Sequence, residues 1–394
     1  MPILDWTQVK ASAPGSFVLV GEYADLYDKN AIAVTIDRQT RVSIRLYKEG
    51  RLRLNLKNFN DLREWPTTSL AMTRLVGRYN DILDYSDTIP PKLNHLLNKR
   101  YKVQPKLDAT LKCEPSSILG SDHSDQVEKS VIAFLMLYIA LGDSYAWSAR
   151  PSLDIEVESD IPLGRGYGSS SSYGVALCAA LMKVYRISAE PAVINNWALN
   201  VDKFFHGKAS GLHTSVIVHG GYIYFQNSKV KYSGIPHTTP MKALFIDTFI
   251  RRNDRALIKI LENQQTESSN DLQATLENIS DIVVTTWRKF NDPYFWPKSI
   301  STQLMACQEQ LDSLGLGHGN LSDICSRAAN LQLAAKQTKS GQSAFLLYED
   351  SDINRTINEF KAILTDSGYK SESLGICCKG VETTTIRSIA ESVE

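Results

Sequence analysis

The chain has 394 residues, with 43 Lys and Arg side chains against 43 Asp and Glu, 43% hydrophobic residues and 22% charged ones. That balance argues against a protein built around nucleic acid or anionic lipid, both of which need a basic excess, and the composition is that of a folded globular chain of about two domains. No run reaches the roughly 18 apolar residues of a membrane span, and the start, MPILDWTQVK, has neither the basic head nor the long apolar stretch of a signal peptide, so a cytoplasmic location is expected.

In chain order, apolar stretches at 17–20, 31–36 and 42–47 predict strands, and Leu52, Leu54 and Leu56 continue a period of two. A more polar stretch, 67–112, predicts helices around the turn Ile89-Pro90-Pro91. Within it Lys99, Arg100, Lys102 and Lys106 form a mildly basic run that reads as a solvated face. The dense apolar segment 131–141 predicts a buried helix. Leu153, Ile155 and Val157 alternate with Asp154, Glu156 and Glu158 as a half-buried strand. A glycine- and serine-rich loop, 162–172, then leads into an Ala-rich helix beginning near Tyr173. A helix over 191–205 carries Ile194, Trp197, Val201 and Phe204 at helical spacing, followed by a loop, 206–213, and a strand, 221–226.

The texture changes past Pro236, where a domain boundary is expected between 1–236 and 237–394. A strand at 243–248 precedes helices over 254–290, 301–313 and 321–336, a strand at 344–348, a helix at 353–365 and two closing strands. The six cysteines, Cys113, Cys178, Cys307, Cys325, Cys377 and Cys378, lack paired CxxC spacing and read as reduced core thiols. His206, His219 and His318 show no spacing that sets a metal pair on one helix face.

The strongest chemical signal is the loop at 164–172. Glycines at 164, 166 and 168 let backbone approach an anion, a helix N-terminus follows with unpaired N–H groups, and the serines can donate to phosphate or ligate magnesium. No Lys follows the last glycine, so it is not a Walker A loop, and Gly-x-Gly-x-Gly is not the dinucleotide fingerprint.

This loop follows Ala11-Ser-Ala-Pro-Gly-Ser-Phe-Val-Leu-Val-Gly-Glu22-Tyr-Ala, and together the two resemble the first two signatures of the GHMP small-molecule kinases. Ala31-Ile-Ala-Val-Thr, Pro151-Ser-Leu-Asp-Ile, Asn196-Trp-Ala, His206-Gly-Lys-Ala-Ser-Gly, Asn253-Asp-Arg-Ala-Leu and Leu314-Gly-Leu-Gly-His-Gly match further segments in order, with 60–130 the weakest region. The similarity is to the mevalonate-phosphorylating branch. It implies an α+β, two-domain GHMP kinase fold: a ribosomal-protein-S5-like N-terminal domain and a ferredoxin-like C-terminal one, with the ligand cleft between them. It also implies transfer of a phosphoryl group from ATP–Mg to the 5-hydroxyl of mevalonate. On matching positions Gly164, Gly166, Gly168, Ser169, Ser170, Ser171 and Gly341 would bind the nucleotide. Ser170 and Asp202, the latter in place of a family Glu, would hold magnesium, while Glu22, Tyr173 and Thr248 would line the substrate side. A homodimer is left open.

Three departures fall on the chemistry. The family places a Lys directly after Ala-Pro-Gly, where it stabilises the reacting oxygen; here it is Ser16. The family's Ser-Gly-x-Asp supplies a carboxylate paired to that Lys; here Ser210-Gly-Leu-His213 supplies an imidazole. The family's glycine-rich turn is matched by the shorter Lys336-Gln-Thr-Lys-Ser-Gly-Gln-Ser-Ala-Phe345, which keeps one glycine, Gly341. Tyr23 also stands where the family has His. A positioned base is worth roughly 10² to 10⁴ in rate and one preorganised charge-stabilising donor roughly 10² to 10³, non-additively. The family reaction is therefore expected to be impaired or lost, with His213, of ordinary pKa about 6.5, as the replacement base beside Ser16. The alternatives are a catalytically inactive member acting by ligand or protein binding, and a kinase for another small alcohol.

Overall fold

The computed structural model describes residues 6–67, 121–144, 151–234, 241–252, 254–292, 297–349 and 355–387. The expected helices and turn beyond residue 67, the basic run at 99–106, Cys113, Asn253 and the boundary at 236 lie outside the described residues.

The first sheet opens with two long strands, β1 (Trp6–Val20) and β2 (Ala31–Leu46), paired antiparallel along most of their length. The two apolar stretches expected at 31–36 and 42–47 are one strand, carried through the polar middle by its pairing with β1. Next come β3 (Arg51–Leu56) and β4 (Asp61–Pro66), a helix α1 (Ser121–Ser144), and β5 (Leu153–Ser159). Three helices follow: α2 (Ser169–Val184), α3 (Pro191–His206) and α4 (Leu212–His219). The hairpin β6 (Tyr222–Gln226) and β7 (Lys229–Gly234) comes after them. Pro191 sits in the first turn of α3, where its missing N–H costs no hydrogen bond. Helix α4 begins inside the loop expected at 206–213 and continues through a stretch where the sequence predicts no helix. Its apolar run, Leu212 and Val216 to Val218, is buried on all sides and shows no amphipathic period, and glycines at 211 and 220 bracket it.

The second sheet uses β8 (Met241–Asp247), β9 (Lys336–Gln337), β10 (Ser343–Glu349) and β11 (Lys370–Gly375), all antiparallel, in the order β11-β8-β10-β9. Helices α5 (Asp254–Glu267), α6 (Ser269–Phe290), α7 (Ser301–Ser313), α8 (Gly319–Asn330) and α9 (Arg355–Asp366) complete this half. The single helix expected over 254–290 breaks at Ser268, whose φ of −143° and ψ of 54° are not helical. The last strand, β12 (Glu382–Arg387), returns to the first sheet and pairs with the outer side of β1. The first sheet then runs β12-β1-β2-β5-β3-β4, with β6 and β7 on the other end of β2; β3 and β5 are its parallel pair.

Strand periodicity sorts side chains into three cores. On β2, Ala31 and Ala33 face a core shared with α1, α2 and α4, whereas Ile32, Val34 and Ile36 face a second core. On β8, Ala243 and Phe245 join that second core, whereas Leu244 and Ile246 face a third beneath α8 and α9. The middle core therefore belongs to both sheets. Phe17 of β1 is fully buried there against the rings of Phe245 and Phe345, with centroids at 5.0 and 4.7 Å. Each such aromatic contributes about 1.5–3 kcal/mol of burial, so the two halves are joined by core, not by a wet interface.

Candidate functional site

The strand β5 ends in the glycine loop, which turns into α2. Gly168 is the residue before the helix, at φ 67°, and a Cβ there would lie 2.6 Å from Ser16 Oγ, so only glycine lets the loop close over β1. The contact is sealed by Ser16 N–H donating to Tyr167 O at 3.0 Å. The serines at the helix start are anchored in turn. Ser171 Oγ donates to Asp202 Oδ1 on α3 at 2.6 Å, Ser172 Oγ donates to Ala13 O at 2.8 Å, and Ser170 Oγ lies 2.7 Å from His206 Nε2.

A cavity of about 620 Å³ opens over this loop. Its walls are the loop itself, the segment from Phe205 to His213, the start of α5 with the arginines before it, and the turn that joins β9 to β10. A second, more apolar cavity of about 190 Å³ adjoins it, lined by Leu56, Phe59, Val157, Ile161, Tyr173 and Phe205, and the two share Ser169, Ser170 and His206.

Ser16 and His213 meet: Ser16 Oγ lies 2.9 Å from His213 Nδ1. Ser16 has no exposed surface, so the imidazole is the member of the pair that reaches the large cavity. Burial disfavours the imidazolium, and Lys339 adds repulsion; together they outweigh Asp202 and Asp25 and push His213 down to about 4. It is a neutral imidazole at pH 7, not a base poised near neutrality. His206 behaves oppositely. Burial lowers its pKa, but the hydrogen bond to Asp254 and the charges of Asp202 and Asp254 prevail and raise it. His206 Nδ1 lies 3.3 Å from Asp254 Oδ2, and His206 Nε2 is 3.8 Å from Asp202 Oδ1.

Gly164, Gly166, Gly168, Ser169, Ser170, Ser171, Asp202 and His213 all line the large cavity. Tyr173 lines only the small one and donates its hydroxyl to Ser130 O at 2.7 Å. Three expected residues stand back from both walls. Glu22 is fully buried and bonded to the equally buried Lys336 in an internal ion pair. Thr248 is buried and spends its hydroxyl on the carbonyls of Gly341 and Gln342. Gly341 directs its carbonyl at Thr248 and at His318 Nε2, 2.8 Å away, so it shapes the turn from behind.

Residues to which the resemblance gives no role complete the cavity: Asp25, His206, Arg251, Arg252, Asp254 and Lys339. Asp25 is delivered by a tight turn in which Tyr23 adopts φ 62°, a left-handed conformation uncommon for a bulky residue, before the single 3₁₀ turn Ala24–Tyr27. It accepts from Ser210 Oγ at 2.5 Å and from Lys339 Nζ at 3.2 Å. No local pattern signals such pairs, because their members are 185 and 314 residues apart.

Comparison with known proteins places this architecture. Residues 130–221, from the middle of α1 to the glycines before β6, match the family described as GHMP kinases N terminal domain. Along 97% of its length the chain is 26% identical to the mevalonate kinase of Bos taurus and 25% identical to that of Homo sapiens, covering 96% of each. The crystal structure of L. major mevalonate kinase in complex with R-mevalonate superposes with a TM-score of 0.68 at 14% identity, over 96% of this chain and 99% of that one. The fold is thus the GHMP kinase fold, in its α+β form. Within that fold the chain carries a match to the GHMP kinase N-terminal domain over 130–221 and is similar to mevalonate kinases along nearly its whole length.

Proposed function

We propose that this protein binds a nucleotide and a small alcohol as its mevalonate kinase relatives do, and that the family reaction, phosphorylation of mevalonate by ATP, runs impaired in it. The observation that carries this reading is the 2.9 Å contact between Ser16 and a His213 held neutral. Where the resemblance implies a cation and a carboxylate, two uncharged groups face each other. A base near pKa 4 has little driving force to accept a hydroxyl proton at pH 7, and a serine offers no charge to a developing oxyanion.

The rest of the cleft favours the nucleotide. The small apolar cavity suits a base, and the glycine loop with the α2 N-terminus suits phosphates. Magnesium commonly takes one or two protein oxygens and fills its shell with phosphates and water, so Ser170 and Asp202 are a donor pair that fits it. Among the described residues no group of three or more His, Cys, Asp or Glu is arranged to hold a metal by itself. A bound magnesium would neutralise phosphate charge. Ser170 would have to exchange its contact with His206 to serve it.

The test is ADP release at saturating ATP–Mg and mevalonate beside an authentic mevalonate kinase. The expected turnover is lower by roughly three decades or more, and Ser16→Lys with His213→Asp is expected to recover part of it. Turnover equal to the authentic enzyme would overturn the reading.

A further inference from the structure

We propose that Lys339 is the anion-binding cation of the large cavity, directed at the terminal phosphoryl group of a nucleoside triphosphate and held in place by Asp25. The assignment deepens the nucleotide reading above and rests on it.

Lys339 lies in the turn between β9 and β10, which presses directly on the glycine loop. A Cβ at Gly166 would come within 2.6 Å of Thr338 Oγ1 and 3.5 Å of Ser340 Oγ, the two neighbours of Lys339. The turn is closed by Gly341 N–H donating to Thr338 O at 2.8 Å. The Lys339 side chain therefore enters the cavity beside the place where the glycine loop offers its backbone.

The ammonium is held from one side. Its Nζ is 3.2 and 3.3 Å from the two oxygens of Asp25 and 5.4 Å above the Tyr23 ring. Asp25 is 1% exposed and fixed from behind by Ser210, whereas Lys339 is 17% exposed, so the cation faces the cavity and the carboxylate backs it. These distances are longer than the 2.7–2.9 Å typical of a tight charge-assisted bond, and an ammonium carries three donors. The pair orients Lys339 without saturating it.

Its charge is felt across the cavity. Lys339 adds to the lowering of the His213 and Asp254 pKa values and works against the rise at His206, which its carboxylate neighbours carry. Other cations of the wall are turned to other partners: Arg251 to Asp247 at 3.1 Å, Arg252 to Leu316 O, Lys129 to Asp125 at 2.6 Å and Lys208 to the Tyr27 ring at 4.9 Å. Lys339 is the cation placed beside the glycine loop and facing the open volume. With Ser16 and His213 uncharged, it supplies positive charge where a terminal phosphoryl would meet an alcohol.

The experiment is calorimetric titration of the full chain with ATP, ADP and inorganic tripolyphosphate at one fixed ionic strength, with thermal unfolding as the check on folding. The parent is expected to bind ATP more tightly than ADP. Lys339→Gln is expected to weaken ATP and tripolyphosphate by roughly 10- to 100-fold while leaving ADP within about twofold, the scale of one hydrogen bond to a charged group. Lys339→Arg should restore most of the ATP preference. Asp25→Asn should lower that preference and Asp25→Glu keep part of it, as a positioning residue requires. Parent-like ATP affinity in Lys339→Gln, or equal losses for ATP and ADP, overturns the assignment and leaves the nucleotide reading intact. Tripolyphosphate binding that needs Lys339, in a parent that ignores ATP, keeps the anion site and removes the nucleotide reading. A folded parent that binds none of the three overturns both. Should Lys339→Gln fail to fold, the parent's ATP-over-ADP ratio decides, and a ratio near one rejects the site.

Discussion

Two histidines in one cavity titrate in opposite senses because their neighbours differ. His213 is pushed down to about 4 by burial, with Lys339 adding repulsion and only the neutral hydroxyl of Ser16 as its close partner. The unfolded chain, with an ordinary histidine near 6.5, then binds more protons between those values, so this residue's contribution to stability is present above pH 6.5 and is lost as pH falls toward 4. His206, bonded to Asp254, has a raised folded pKa; its contribution is complete below about pH 6.5 and is lost as pH rises through the folded value. Melting temperatures across this range should therefore show the parent losing its advantage over His213→Gln on the acid side and its advantage over His206→Gln on the alkaline side. A pH-independent difference between parent and His213→Gln would contradict a histidine buried neutral. The pair at 16 and 213 also marks what is legible at this scale. Both replacements stand in recognisable motifs, so the resemblance suffices to pair them. The protonation state of His213 depends on burial and on Lys339, contributed from 126 positions further along the chain, and no motif contains that information.

Among the elements, those with a clean period are readable and those defined by context are not. β5 carries a simple alternation and α3 a simple helical spacing, and both fall close to the expected bounds. The helix α4 is buried on nearly every face, polar Thr214 and Ser215 included, and β9 is two residues long, held by its pairing to β10 and by Lys336. Lys336 and Glu22 are both fully buried, and the bond between them ties β9 to the end of β1. Burial pushes the Glu22 carboxyl up while Lys336 opposes it, which shows how much desolvation the pair has to offset. Glu22→Ala or Lys336→Ala alone should cost about 3–5 kcal/mol in urea unfolding, whereas the paired replacement by methionines should recover most of that loss. Single losses below about 1 kcal/mol, the scale of an exposed pair, would show the bond to be dispensable. Gly166 tests the adjoining contact between the two loops. It has φ 76° and lies against Thr338, so Gly166→Ala should cost about 1–2 kcal/mol for the left-handed backbone and also displace the turn that carries Lys339. Its nucleotide affinity should fall even at temperatures where the variant is fully folded, as read by calorimetry.

At the scale of the whole molecule, the change in texture past Pro236 suggests two separable units, and the folded chain binds those stretches together in three ways. β12 returns from the far end of the sequence to pair with β1 from Trp6 to Ser12. Cys377 N–H donates to Thr35 O at 2.8 Å and Gly221 N–H to Cys378 O at 2.6 Å, so the approach to β12 is stitched to β2 and β6 as well. The middle core takes Phe17, Ile32 and Val34 from the first sheet and Phe245, Leu276 and Phe345 from the second half. A fragment ending at residue 234 would expose the outer edge of β1, leave Glu22 buried without Lys336, and uncover one whole face of β1 and β2. Exposed strand edges and apolar sheet faces are aggregation sites. Residues 1–234 expressed alone should therefore be insoluble or unfold without cooperativity, whereas co-expression with 235–394 should restore a soluble complex. Cooperative unfolding of the isolated fragment, within a few degrees of the parent, would show instead that the first sheet and its helices are sufficient and that the shared core is an interface between independent domains.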